Sequence, residues 1–121
     1  MLEIIAGARS TTPGRLRVGD TVHIQLNTDH NIEGTEELAA HVSGVVHSDL
    51  VSLSEHVTRV EVHLSDASGD RDGQDDKHCM MEARLAGRQP IAVTNQAQTV
   101  DEAISGASRK LKRVVESALR E

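Results

Sequence analysis

Residues 58–66 read T-R-V-E-V-H-L-S-D, and this stretch decides the fold. Val60, Val62 and Leu64 alternate with Arg59, Glu61, His63 and Ser65. Successive side chains of a strand point to opposite faces, so this strand has one apolar and one charged face and belongs to a sheet covered on one side. Toward the N-terminus, Val22, Ile24 and Leu26 alternate with His23, Gln25 and Asn27 in a strand of the same kind. Between the two, Gly34-Thr35-Glu36-Glu37 opens a helix, with Leu38, Val42, Val45, Val46, Leu50 and Leu53 on one face and an end near Ser52–Ser54. Asp49 is the one polar intruder on that face. Toward the C-terminus, the polar, glycine-containing run Asp66–Asp76 reads as a long, mobile hairpin loop. Cys79, Met81, Ala83 and Leu85 then alternate with His78, Met80, Glu82 and Arg84 in a further strand. A turn follows at Gly87-Arg88-Gln89-Pro90, and Ile91 with Val93 marks a short last strand.

The closing segment from Thr99 to Glu121 is an amphipathic helix. Val100, Ala103, Ile104, Ala107, Leu111, Val114, Val115, Ala118 and Leu119 recur at helical spacing. Thr99 is placed as N-cap, and Asp101 and Glu102 occupy the first turn, where the helix dipole favours negative charge. The order is therefore β-α-β-β-β-α, an α+β domain with a four-stranded mixed sheet and both helices packed on one face. The helix joining the first two strands makes that pair parallel, with a right-handed crossover, and the later strands form an antiparallel meander.

With 121 residues the chain is one domain's worth, and 37% hydrophobic content supports a modest core. It contains no Phe, Tyr or Trp, so the core is built from aliphatic side chains and Met. Binding of single strands by stacking bases on aromatic rings is excluded. The net charge of −6 argues against avid, non-specific nucleic-acid binding but leaves room for a local basic face. A single cysteine excludes an intramolecular disulfide and fits a reducing cytoplasm. No run approaches a membrane span. Residues 1–20 show no periodic pattern after Ala6, and a secretory signal would place its positive charge before the apolar run, not after it. They are expected to be a flexible extension, or vector-derived or mis-annotated sequence with a true start at Val22, ahead of a domain over residues 21–121. Losing residues 1–20 removes Arg9, Arg15 and Arg17 against Glu3 and Asp20, leaving the domain at −7.

The candidate sites differ in strength. In the acidic loop, an EF-hand register with Gly73 sixth puts Ser68 first and Cys79 twelfth, and the flanks are strands, so the pattern fails. The seven histidines show no H-x-x-x-H spacing, although His23 and His63 could be neighbours on the exposed sheet face. No metal or other cofactor is expected. Cys79 alternates into the core with Met81 and reads as an inert buried thiol. No nucleophile elbow, triad spacing or phosphate loop is present, so no catalytic residue and no enzymatic activity is expected. The dense basic cluster is Arg109, Lys110, Lys112 and Arg113. It reads either as a solvated face near a helix C-terminus or as a contact for a polyanion.

The opening V-H-I-Q-L-N-T-D-H-N-I-E-G, the central T-R-V-E-V-H-L-S-D, then E-A-R-L-A-G-R-Q-P and finally A-I-S-G-A-S-R-K-L-K-R occur in this order. In these segments the chain resembles the ribosome hibernation-promoting factors and ribosome-associated inhibitors, also called sigma modulation proteins, from Val22 to Glu121. The resemblance implies a double-stranded-RNA-binding-domain-like fold and a non-enzymatic, bacterial, cytoplasmic stress-response factor. Such factors bind the small ribosomal subunit and block the channel for messenger and transfer RNA. Ending after its second helix, the chain resembles the short form. The implied partner is rRNA phosphate, with other ribosomal or hibernation proteins alongside it, and neither DNA nor membrane. Lys110 and Arg113 fall where the family's second helix is basic, adjoined by Arg109 and Lys112. Arg59 opens the second strand at another commonly basic position, and Arg84 and Arg88 join on exposure alone. The first helix departs from the family: H-V-S-G-V-V-H-S-D-L carries no Lys or Arg. The alternative is a protein-interaction module of the same fold that has lost rRNA binding.

Overall fold

The computed structural model describes residues 2–6, 22–66 and 77–120. The elements run β1 (Leu2–Ala6), β2 (Val22–Thr28), α1 (Glu36–Leu50) with a 3-10 turn at Val51–Leu53, β3 (Val57–Asp66), β4 (Lys77–Leu85), β5 (Ile91–Ala97) and α2 (Val100–Leu119). From β2 onward this is the expected β-α-β-β-β-α order. The acidic loop of residues 67–76 and residues 7–21 lie outside the described residues.

The sheet order is β1-β2-β3-β4-β5, with β2 and β3 parallel and every other pair antiparallel. The difference from the expected four strands is β1, whose backbone pairs with β2 from Leu2 opposite Leu26 to Ala6 opposite Val22. An edge strand joined to its neighbour by a long connection leaves no local turn signal, and five residues are too few for a periodic one. Strand β5 is also longer than Ile91 and Val93 alone indicate, because Asn95 and Ala97 continue its pairing with β4.

Alternation translates directly into burial. Val22, Ile24, Leu26, Val60, Val62, Leu64, Cys79, Met81, Ala83 and Leu85 all enter one core, where they meet Val42, Val46 and Leu50 of α1 and Ile104, Leu111 and Val115 of α2. Both helix starts are capped, that of α2 by the Thr99 its sequence predicts. Thr35 Oγ1 accepts from Leu38 N, and Thr99 Oγ1 accepts from Glu102 N, each at 3.0 Å. Gly87 turns β4 into β5 at φ +72°, a left-handed conformation that favours glycine. The expected stripe of α2 fails at one position: Val114 is 41% exposed. It follows one turn after Lys110, whose Nζ reaches Thr94 O of β5, and β5 is the edge strand on that side among the described residues.

Two contacts align the helices. His41 of α1 meets Asp101 in the first turn of α2, and Ser108 Oγ donates to Asp49 Oδ2 at 2.6 Å. Eight residues on α1 thus match seven on α2, so the helices run parallel, side by side on the sheet. Asp49, the polar intruder, is explained by this second contact. Its partner is fully buried, and a hydroxyl buried without a partner would cost about 1–3 kcal/mol.

Candidate nucleic-acid interface

Parallel helices over a sheet leave a furrow between them on the solvent side. Here it is an open groove of about 570 Å³ lined by Ala40, His41, Gly44, Val45, Ser48, Asp49, Ser105 and Arg109. It continues past Asp49 and Arg109 into a second hollow of about 310 Å³ whose other walls are Lys112, Arg113 and Glu116. Gly44 lies open to the upper groove, and a Cβ there would meet no atom within 4 Å. Gly44→Ala is therefore expected to raise stability by about 1 kcal/mol, the helix-propensity difference with nothing to offset it. Thermal denaturation checks it.

The expected basic residues do not form one surface. Arg109, Lys112 and Arg113, spaced i, i+3, i+4, share the groove side of α2 and make no hydrogen bond or ion pair among the described residues. Lys110 is turned about 100° away from Arg109 and its Nζ donates to Thr94 O of β5 at 2.9 Å. Arg88 Nη1 donates to Ala118 O in the last turn of α2 at 2.8 Å, a carbonyl left without an α-helical i+4 partner at the helix end. Arg59 and Arg84 lie on the opposite, helix-free face of the sheet. They flank Glu61, with Arg59 Nε 3.3 Å and Arg84 Nη2 3.8 Å from its Oε2, and Arg84 also lies 3.9 Å from Glu82 Oε1. Glu61 and Glu82 stand directly opposite in the register, so the arginines offset a like-charge pair. Their charge is internally compensated. Three of the expected cations are brought together and four are not.

The remaining candidates resolve simply. Cys79 is fully buried, and burial pushes its thiol up to about 12, so it stays protonated and packs as a small apolar side chain. His23 stands opposite Arg59 and His63 opposite Asn27, with the Gln25–Glu61 pair between, so the anticipated His23–His63 neighbours do not meet. Among the described residues, no group of three or more His, Cys, Asp or Glu side chains could hold a metal ion. None of their helices is long and apolar enough to cross a membrane. Sequence reading missed the two interhelical contacts, although the lone Asp49 in an apolar stripe was a signal for one.

Comparison with known proteins agrees with this architecture. No curated protein matches the chain. Among solved structures, a ribosomal subunit interface protein from Coxiella burnetii superposes with a TM-score of 0.66 at 10% identity, covering 81% of this chain and 98% of the other. The N-terminal domain of Protein Y from Thermus thermophilus superposes with a TM-score of 0.63 at 18% identity, covering 77% and 93%. These similarities establish the shared fold. The profile of the sigma 54 modulation protein / S30EA ribosomal protein family matches residues 26–120, from the end of β2 through both helices, and the chain belongs to that family.

Proposed function

We propose that this protein is a non-enzymatic regulator of translation that binds the small ribosomal subunit in the cytoplasm. In this reading, Arg109, Lys112 and Arg113 contact rRNA phosphates, and the bound domain blocks the path of messenger and transfer RNA during stress or stationary phase. One observation carries it: these three cations share one rim of an open groove and have no partner among the described residues. Phosphate contacts of this kind read the shape of folded RNA and not its sequence. Family membership supports the ribosome as the target, and the Coxiella burnetii relative is itself called a ribosomal subunit interface protein.

The test is sedimentation of the full chain with purified small subunits at low and at moderate salt. Co-sedimentation that falls steeply with salt is expected, because each phosphate contact releases counterions. Absence of binding at low salt by the folded protein overturns the reading. It would favour a protein-interaction module, to which the net charge of −6 and the compensated sheet face are better suited.

A further inference from the structure

Inside the cationic rim sits a carboxylate that the rim does not neutralise. Asp49 lines both hollows of the groove together with Arg109, yet no ion pair joins it to Arg109, Lys112 or Arg113 among the described residues. Its Oδ2 is held by the hydroxyl of the fully buried Ser108 at 2.6 Å, which fixes the carboxylate on the groove wall. A mobile carboxylate would swing to the nearest guanidinium and cancel one charge. A fixed one keeps its negative field inside the groove, where a phosphate settling on Arg109 must enter it.

We infer that Asp49 is an affinity-setting residue: locked by Ser108, it opposes phosphate in the interhelical groove and holds binding of the RNA backbone below what the three cations alone would give. This rests on the proposal that the groove takes rRNA phosphates, and it adds the element that weakens the grip. A factor that must leave the ribosome when translation resumes gains from such an element, since faster dissociation accounts for most differences in affinity between related complexes.

The experiment measures binding of Asp49→Asn to purified small subunits, beside the unchanged protein, Arg109→Ala and Glu37→Gln. Asn keeps an oxygen acceptor for Ser108 Oγ, so the interhelical contact and the fold are retained, and the melting temperature verifies this. Asp49→Asn is expected to tighten binding about threefold to tenfold, the scale of one unit charge a few ångströms from a phosphate at a solvated surface. Glu37→Gln removes the same charge from the first turn of α1, away from the groove, and is expected to leave affinity within about twofold, because salt screens charges beyond ~10 Å. If Arg109→Ala weakens binding while Asp49→Asn leaves it unchanged, the inference fails and the groove reading stands. If Asp49→Asn weakens binding, Asp49 is itself a contact, accepting from an RNA hydroxyl or amine, and the opposing role is overturned. If Arg109→Ala and Asp49→Asn both bind as the unchanged protein does, the groove is not the RNA site and both readings fall together.

Discussion

Alanine at Arg109, Lys112 and Arg113 together is expected to cost about a hundredfold or more in affinity for the small subunit at low salt. The slope of log K against log salt should become shallower by roughly 2 to 3, in proportion to the number of phosphates that the variant no longer neutralises. The fold should survive. All three side chains project away from the core that Ile104, Leu111 and Val115 enter, and alanine is the best helix former. The informative contrast is Arg59→Ala with Arg84→Ala. These arginines answer to Glu61 and Glu82, so their removal should leave the salt slope unchanged while reducing stability modestly. Sedimentation over a salt series separates the two outcomes. An unchanged slope in the triple variant would show the groove rim to be a solvated face.

The second large effect lies in the core. Leu111→Ala, at a fully buried position on α2, is expected to lower stability by about 3 kcal/mol, and with it the melting temperature by roughly 12–24 °C. The absence of aromatic residues makes this core unforgiving. Along the buried stripe of α2 the adjacent turns present Ala107 and Val115, side chains too short to fill the space. Val114→Ala, at an exposed position about 100° around the helix from buried Val115, should change stability by no more than about 0.5 kcal/mol. Denaturant titration of both variants measures the difference.

The parts of this fold that were legible are those in which one residue's neighbours along the chain determine its environment. Val60, Val62 and Leu64 alternate, and each is buried. Thr35 and Thr99 cap because their partners are three residues away. What the sequence did not disclose depends on residues far apart in it. Asp49 finds Ser108 across 59 positions, and Glu61 falls between Arg59 and Arg84 only through cross-strand register. The contiguous run from Arg109 to Arg113 looked like one patch. Lys110 stands i, i+3 from Arg113 and leaves the patch only because its Nζ reaches Thr94 O of β5, a partner 16 positions away in the chain. Strand β1 left no signal because its partner lies beyond a long connection.

The parallel setting of the two helices has an effect at a distance. Their N-termini lie at the same end of the domain, and Glu36, Glu37, Asp101 and Glu102 crowd there. From the middle of α2 onward Arg109, Lys112, Arg113 and Arg120 outnumber Asp49 and Glu116, so the helical layer carries an electric moment of side-chain charge directed along its axes. This moment opposes the backbone dipoles of the helices. A negative body as large as a ribosomal subunit exerts a torque on such a layer before any atoms touch. In the proposed binding the domain, despite its overall negative charge, would be turned basic end first as it approaches, and dissolved salt would damp that steering.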